Sequence, residues 1–453
     1  MFAKINFHDE FYQKLKLLVL PITMQQFMLA LVSATDAIML GAVSQTSLSA
    51  VSLAGQIQFV LNLFISGISA GSGIMAAQYW GKKDAASIEE VMPIALRTNL
   101  IFSGAFTVFA AVAPEVLMRI FTSDPALIES GAVYLRAVSL SYLLCGISQI
   151  YLILLKNTGY ATVSSRISCT AVVVNIICNA ILIYGLLGLP ALGIQGAAYA
   201  TVAARLVELI WSYLETKQSG RVQIIWKKMF RAADAVLTKD FWRYTTPVLG
   251  AALVWGIAYV SYSVIMGHMG SDAVAANSIT TIAKNMLSCL IRGVSGGAGV
   301  LIGNLLGAGE LDKAKVYGGR LTRMAIVVGM TTGGLLMLIS PLIVRFAPLS
   351  ETAAEYLQYM LIFCGCNIMA QSVNTTVLDG IFCAGGDSKF DMKGNLGAMW
   401  CFSVPFGFFA AFVLKWPVMV VYCIVNLDEI VKIPAVYLHC LLYTSPSPRD
   451  TER

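Results

Sequence analysis

The sequence predicts an all-α polytopic membrane protein, with twelve transmembrane helices in two six-helix lobes related by a pseudo-two-fold axis along the membrane normal. Its composition, a series of long apolar segments and an internal repeat support this fold class. Of the 453 residues, 57% are hydrophobic and only 12% are charged, about half the charged fraction of soluble proteins. So few charges cannot solvate the surface of a soluble chain of this length, which argues against a cytosolic enzyme, a nucleic-acid-binding protein and a disordered regulator.

Twelve apolar segments are long enough to cross a bilayer, because a spanning helix needs about 20 residues. Several of them exceed that length, so tilted helices or helices that project into water are expected. The segments lie near residues 15–41, 49–79, 90–113, 130–156, 163–188, 191–214, 240–267, 274–306, 315–340, 353–381, 392–414 and 416–438.

The charges in the loops predict the orientation of these segments. Lysine and arginine concentrate in alternate loops, as with Lys82 and Lys83 or Lys389 and Lys393, whereas the intervening loops hold few. Cytoplasmic loops are enriched in these residues. We therefore expect a multi-pass protein of the plasma (inner) membrane with both termini in the cytoplasm, and the net charge of +6 gives no indication of nucleic-acid binding.

An internal repeat relates the two halves of the chain at one fixed offset. Residues 66–73 (SGISAGSG) fall on residues 292–299 (RGVSGGAG), and other glycines and prolines stay in register at the same offset. Each repeat contains six segments, an even number, so both halves have the same orientation in the membrane. The predicted domains are an N-terminal lobe 1–214, a cytoplasmic connector 215–239 and a C-terminal lobe 240–439.

The last residues, 440–453, resemble no membrane element. CLLYTS at 440–445 is the translation of a common transposon-end sequencing adapter, and PSPRD at 446–450 fits the same adapter. We interpret 440–453 as an adapter-derived, non-native tail, the alternative being a short native polar tail.

Several sequence stretches together resemble the multidrug and toxic compound extrusion (MATE) family, over nearly all of residues 10–438. The resemblance implies efflux of organic, often cationic, compounds coupled to inward flow of protons or sodium ions. The stretches are DAIMLG at 36–41, GISAGSG at 67–73, NIICN at 175–179, PALGIQGAAYAT at 190–201, GNLLGAG at 303–309 and GGDS at 385–388.

Four polar residues of the first lobe are the predicted cation- or proton-binding residues. Asp36 lies near the outer end of the first apolar segment, where an ionised carboxylate costs free energy and usually serves a function. Asn175 and Asn179 share one helix face, and their amide oxygens can bind a cation or orient a protonated carboxyl. The resemblance adds Thr201, and it implies an aspartate at the position of Asn179 in many relatives. Asparagine here removes that second negative charge, which argues against sodium coupling. The alternatives are an interfacial aspartate and hydrogen bonds that only join helices.

The second lobe lacks an obvious acid that matches Asp36. Asp379, near the cytoplasmic end of the tenth segment, is the remaining candidate, unless it is only interfacial. Lys284 and Arg292 are eight residues apart in the eighth segment and project on roughly one face. We predict that these three residues belong to a substrate cavity, where the two bases bind an anionic group, repel or gate cations, or pair with Asp379. The alternative is that the bases extend toward the cytoplasm.

Small residues and prolines recur at equivalent positions of the two repeats. The glycines allow helices to approach closely, and can permit bending. The prolines can kink the first helix of each lobe. These predicted structural or hinge residues are Gly67, Gly71, Gly73, Gly293, Gly297, Gly299, Pro21 and Pro247.

The leading functional hypothesis is a secondary antiporter that works by alternating access. The alternative, favoured by Lys284 and Arg292, is a flippase for a lipid-linked saccharide or phospholipid. We expect no enzyme activity, because no metalloprotease or P-loop motif is present. No metal site is expected, since the chain has three histidines and no CxxC pair. The expected partners are small organic molecules, the bilayer and the coupling ion H⁺ or Na⁺, with no other cofactor, no nucleic acid and a monomeric state.

Overall fold

The computed structural model describes residues 10–230, 234–347 and 349–444, with the side chains of 33, 34, 37, 45, 46 and 440–444 left out. Within these ranges all regular structure is helical. The predicted adapter-derived tail falls largely outside this part of the chain. Residues 440–444 continue the last helix, and residues 445–453 lie outside the described residues.

The first half of the chain contains five helices of 24 residues or more and several shorter ones. A 3₁₀ turn, Leu186–Gly188, follows the sixth helix. The helices are α1 (Glu10–Val43), α2 (Gln45–Gly81), α3 (Ala85–Val112), α4 (Pro114–Arg119), α5 (Pro125–Asn157), α6 (Ala161–Tyr184), α7 (Ile194–Thr216) and α8 (Trp226–Met229).

The second half repeats this arrangement and adds wider, π-helical segments. These segments are Thr376–Phe382, Leu396–Ser403 and Phe409–Val413. The helices are α9 (Ala235–Gly267), α10 (Ser271–Gly307), α11 (Leu311–Phe346), α12 (Glu351–Thr375), α13 (Ser388–Asn395), α14 (Val404–Phe408), α15 (Val418–Val425) and α16 (Asp428–Thr444).

Among the described residues, ten helices are long and apolar enough to cross a membrane. They match the predicted segments except the sixth and the twelfth, which correspond to α7 and to α15 with α16. The prediction of an all-α polytopic membrane protein is confirmed. The twelfth segment differs from a simple span, because α15 ends at Val425 and α16 begins at Asp428. Asp428 and Glu429 occupy the first turn of α16, where the helix dipole favours negative charge.

Helix boundaries preserve the offset of the internal repeat. The helices α2, α3 and α5 start at residues 45, 85 and 125, and their counterparts α10, α11 and α12 start at 271, 311 and 351. The spacing is the same for all three pairs, and it equals the spacing that places residue 66 on residue 292. Two of these equivalent helices, α5 and α12, carry many fully buried apolar side chains. In the first half α5 packs against α2, α3 and α7, and in the second half α12 packs against α10 and α11.

The chain divides into two compact units. The N-terminal unit is Leu20–Leu249, and the C-terminal unit takes the chain up to Val19 and from Gly250 onward. The divisions therefore fall inside α1 and α9, beside Pro21 and Pro247. Both helices continue through these prolines, and the Ser165 hydroxyl donates a hydrogen bond to the Pro21 carbonyl oxygen at 2.6 Å.

Glycines allow the same close helix contact in both units. A Cβ on Gly71 would lie 2.6 Å from Thr245 Cα, and a Cβ on Gly297 would lie 2.9 Å from Val19 Cγ2. The repeat offset carries Gly71 to Gly297 and Val19 to Thr245, so the repeats use one packing contact twice. Gly67 serves α2 in the same way, since its Cβ would lie 2.7 Å from Leu249 Cα.

The remaining predicted glycines are less crowded. A Cβ on Gly73 would lie 3.0 Å from Ile153 Cγ1, and a Cβ on Gly299 would lie 3.5 Å from the Gly380 carbonyl oxygen. Gly293 is buried in α10. Close packing thus accounts for Gly67, Gly71 and Gly297, and bending at any of the six glycines stays a prediction.

Replacing Gly71 with alanine should destabilise the N-terminal unit. The added methyl group would overlap the backbone of Thr245, and overpacking typically costs about 1–3 kcal/mol. Thermal unfolding in detergent measures the effect. Gly104→Ala is the matched control, because it is also a helical glycine and its Cβ would meet nothing within 4 Å. A melting temperature of Gly71→Ala equal to that of Gly104→Ala would contradict the packing role.

Candidate functional site

The structure joins the four predicted cation-site residues in one chain of hydrogen bonds, called here the Asp36 network. Asn179 Nδ2 donates to Asp36 Oδ1 at 2.6 Å and to Asn175 Oδ1 at 3.1 Å. Asn175 Nδ2 donates to Thr201 Oγ1 at 3.4 Å. Thr201 Oγ1 in turn donates to the Ala197 carbonyl oxygen at 3.0 Å. The network crosses α1, α6 and α7 within the N-terminal unit.

Helix periodicity and burial show which side chains of the Asp36 network lie in the interior of the unit. Asn175 and Asn179 are one turn apart on α6, and their exposed fractions are 4% and 0%. Asp36 is half-buried on α1. The two amides therefore form the interior wall of the network, and the carboxyl of Asp36 lies on its more accessible side.

One amide oxygen of the network is unused. Asn179 Oδ1 is buried and has no hydrogen-bond partner among the described residues. Buried polar atoms are nearly always paired, and an amide oxygen accepts a proton donor or coordinates a cation. A protonated carboxyl or a monovalent cation beside Asp36 would satisfy this oxygen.

Sequence reasoning missed Tyr134, which lies on α5 within electrostatic range of Asp36. Its side chain is 8% exposed. The two residues are far apart in sequence and belong to helices that are not consecutive. No local pattern could have related them.

A second buried polar group holds α5, α6 and α7 together. Glu208 is 1% exposed, and its carboxylate accepts from Arg205 at 2.7 Å, Ser148 at 3.0 Å and Ser168 at 3.4 Å. The ion pair of Arg205 with Glu208 lies within the N-terminal unit, and the hydroxyl groups of the two serines donate hydrogen bonds to the same carboxylate. It stabilises the bundle two helical turns along α7 from Thr201.

The predicted substrate-cavity residues do not form a single group. Lys284 is half-buried and interacts electrostatically with Asp428 and Glu429. Asp379 lies in the π-helical segment Thr376–Phe382. Arg292 is exposed and lies within electrostatic range of the Cys289 thiol. Asp379 interacts electrostatically with Glu429, as Lys284 does. Lys284 and Asp379 therefore lie near a common acid, whereas Arg292 lies apart from them.

Sequence reasoning missed four charged residues that lie near Asp379 or Lys284. Asp391, Asp428, Glu429 and Lys432 are all largely buried in the C-terminal unit. Asp391 resembled a loop residue because it immediately precedes the predicted segment 392–414. The signal that was available is three charges within five residues, 428–432, inside a predicted span.

Comparison with known proteins identifies the repeat as a family feature. The model of the MatE family matches the chain twice, over residues 21–181 and 247–409. The starts of the two matches are separated by the offset of the internal repeat. Together they cover well over half of the chain.

Curated relatives are similar over most of their length. The "Uncharacterized transporter YisQ" of Bacillus subtilis is 22% identical over 82% of each chain. A "Probable multidrug resistance protein NorM" of Bacillus cereus is 24% identical over 90% of each chain.

Solved structures share the fold. A MOP superfamily transporter from Pyrococcus furiosus is 18% identical and matches with a TM-score of 0.84 over 95% of both chains. An outward-facing multidrug resistance MATE family transporter of the same superfamily matches with a TM-score of 0.84 at 17% identity, again over 95% of both chains. The predicted arrangement of twelve helices in two lobes agrees with this fold. The chain is a multi-pass membrane protein that belongs to the MatE family of multidrug and toxic compound extrusion (MATE) transporters.

Proposed function

We propose that the protein is a secondary antiporter that exports organic, mainly cationic, compounds in exchange for protons or sodium ions by alternating access. The Asp36 network carries this proposal. It places one carboxylate beside an unused amide oxygen in a largely apolar bundle, where an ionised group costs free energy. A bound proton or cation removes that cost.

Loading of Asp36 would change the contact between α1 and α6. The ionised carboxylate accepts the hydrogen bond from Asn179 Nδ2, whereas a protonated carboxyl needs an acceptor, which Asn179 Oδ1 can supply. The carbonyl oxygen of the protonated carboxyl still accepts from Asn179 Nδ2 while its hydroxyl donates to Asn179 Oδ1, so protonation adds a second hydrogen bond between the two side chains. A ligand shifts a conformational equilibrium only through different interactions with the two states, and this added hydrogen bond provides such a difference.

The names of the relatives support the proposed export of organic compounds. NorM of Bacillus cereus is named a probable multidrug resistance protein, and the matched outward-facing structure is that of a multidrug resistance transporter. We extend that activity to this chain, together with a location in the plasma membrane, cytoplasmic termini and no cofactor beyond the coupling ion. The flippase alternative depended on a free basic pair, and the electrostatic interaction of Lys284 with Asp428 and Glu429 weakens that basis.

Asp36→Asn should reduce gradient-driven efflux of a cationic dye from proteoliposomes by about tenfold or more, because asparagine neither takes up a proton near neutral pH nor carries the charge that attracts a cation. The substitution keeps the size of the side chain and removes its charge. Asp234→Asn is the matched control, because Asp234 is exposed and caps the backbone N–H of Val236, a role that asparagine also fills. Full efflux by Asp36→Asn, with normal insertion, would refute the proposed coupling site.

Asn179→Asp should increase the response of efflux to a sodium gradient relative to the wild type. The substitution puts a second carboxylate next to Asp36, and two adjacent carboxylates attract a cation more strongly than one. Dye efflux under separately imposed gradients measures this, with Asn179→Ala as the control that removes the amide without adding charge. A response of Asn179→Asp to the sodium gradient no larger than that of the wild type would contradict the prediction.

A further inference from the structure

The predicted cytoplasmic connector, 215–239, is packed onto the N-terminal unit by one of its sides. It runs from the end of α7 through α8 into the first turns of α9. Val222, Ile224 and Met229 are only 6–7% exposed, and they belong to one buried hydrophobic cluster with Phe241 of α9. The inner side of the connector is therefore part of the core of the unit.

Polar contacts hold the connector in this place. Trp226 Nε1 donates a hydrogen bond to the Tyr151 hydroxyl on α5 at 2.7 Å. Lys228 Nζ lies 2.7 Å from Glu90 Oε1 on α3. The connector is thus attached to two helices, and its outer side chains are presented on a fixed support. Such pre-organisation reduces the entropy lost when a partner binds.

The connector lies at the level of one membrane surface. The short helix α8 packs against α3, and its contact residue Glu90 is in the second turn of that helix. The helices α2 and α3 are both long and apolar enough to span a membrane, and the turn 82–84 between them contains Lys82 and Lys83, which predict the cytoplasmic side. The beginning of α3, and α8 beside it, therefore mark the boundary where lipid headgroups lie.

The outer side of this region combines exposed aromatic and basic side chains, and is called here the connector face. Its members are Trp226, Lys227, Phe230, Lys239, Trp242 and Arg243. Phe230 is 83% exposed and lies outside every predicted span, and the two tryptophans are each 39% exposed. Exposed apolar side chains that are close together mark interaction surfaces.

The bases of the connector face carry charge that no acid neutralises among the described residues. In the described part of 217–243 the ion pairs are formed by Arg221 and Lys228, which leaves Lys227, Lys239 and Arg243 without one. The stretch 217–243 contains seven lysines and arginines but only two aspartates. The connector face is therefore complementary to an anionic partner.

An anionic phospholipid fits both properties of the connector face. Its phosphate accepts charge-assisted hydrogen bonds from lysine and arginine, and the cytoplasmic leaflet attracts basic segments beside membrane helices. Aromatic rings favour the layer between headgroups and acyl chains. A soluble phosphate compound would leave Phe230 in water, and a zwitterionic lipid would leave the three bases without a net opposite charge.

We propose that the connector face is a binding site for the headgroups of anionic phospholipids at the cytoplasmic surface of the membrane. Lys227, Lys239 and Arg243 bind the phosphate groups, while the three aromatic rings lie at the upper ends of the acyl chains. The connector thereby attaches the N-terminal unit to the membrane surface. The proposal does not depend on Asp36 or on the substrate that is exported.

Native mass spectrometry of the purified full-length protein tests the proposal, because it counts the lipid molecules that stay bound. In a titration with phosphatidylglycerol and phosphatidylcholine, the wild type should prefer phosphatidylglycerol. The triple variant Lys227→Gln, Lys239→Gln and Arg243→Gln should lower the affinity for phosphatidylglycerol by about fivefold for each base removed, which is what one basic residue contributes at an anionic surface. The affinity for phosphatidylcholine should not change.

A second triple variant is the matched control, because it removes the same number of positive charges from exposed positions in the predicted outer loops. It combines Arg119→Gln, Arg345→Gln and Lys415→Gln, and it should keep the affinity of the wild type for phosphatidylglycerol.

Phe230→Ser keeps every charge and provides an independent arm. It should also weaken phosphatidylglycerol binding, because it removes the most exposed ring of the connector face. Leu187→Ser is its control, since Leu187 is similarly exposed, at 85%, and lies in the 3₁₀ turn after α6. This control should bind phosphatidylglycerol as the wild type does.

The proposal is wrong if the two triple variants lose phosphatidylglycerol equally, or if Phe230→Ser binds it as the wild type does. Displacement of the lipid by soluble glycerol 3-phosphate would show a site for free anions and also overturn it. A dimer that only the first triple variant dissociates, with lipid binding unchanged, would identify a second copy of the chain as the occupant and overturn it as well. None of these readouts measures efflux, so failure here is distinct from failure of the proposed antiport.

Discussion

The free energy of placing an ionised group in an apolar helical bundle is the constraint on which the polar architecture depends. Neither lipid nor packed aliphatic side chains solvate a charge, so each intramembrane charge needs partners within the protein. Asp36 has Asn179, Glu208 has Arg205 with two serine hydroxyls, and Glu429 has Lys432 with Asn374. Arg205 and Lys432 lie on the same helices as their acids, whereas Asn179, the two serines and Asn374 lie on other helices, so these hydrogen bonds also hold neighbouring helices side by side.

Duplication gave the two units one packing scheme. The contact of Gly71 with Thr245 recurs as the contact of Gly297 with Val19, and α5 and α12 hold corresponding positions. A polar contact recurs as well. Ser148 donates to the buried Glu208, and Asn374, its counterpart in the second repeat, donates to the buried Glu429. Both acids lie on the last helix of their repeat.

The charges have diverged on this common scaffold. The Asp36 network has one carboxylate supported by amides, whereas in the C-terminal unit Glu429 and Asp428 lie 3.1 Å and 3.6 Å from the Lys432 ammonium. The apolar contacts depend on shape, which both repeats preserve, but one substitution changes a charge and with it the chemistry of the site. Tyr262 at the position that corresponds to Asp36 shows how far the two sites differ.

The sequence by itself determined the helical class, the approximate spans and the repeat, because segment length, hydropathy and register are local or periodic properties. Helical spacing and the family resemblance also predicted the cation- or proton-binding residues, which are Asp36, Asn175, Asn179 and Thr201. Only the tertiary structure decided which polar groups meet. The same helical spacing suggested a common role for Lys284 and Arg292, yet Lys284 lies near acids and Arg292 is exposed. Asp379, Asp391 and Asp428 belong to separate segments of the chain, and electrostatic interactions act through space between helices, so no reading along the sequence could assemble them.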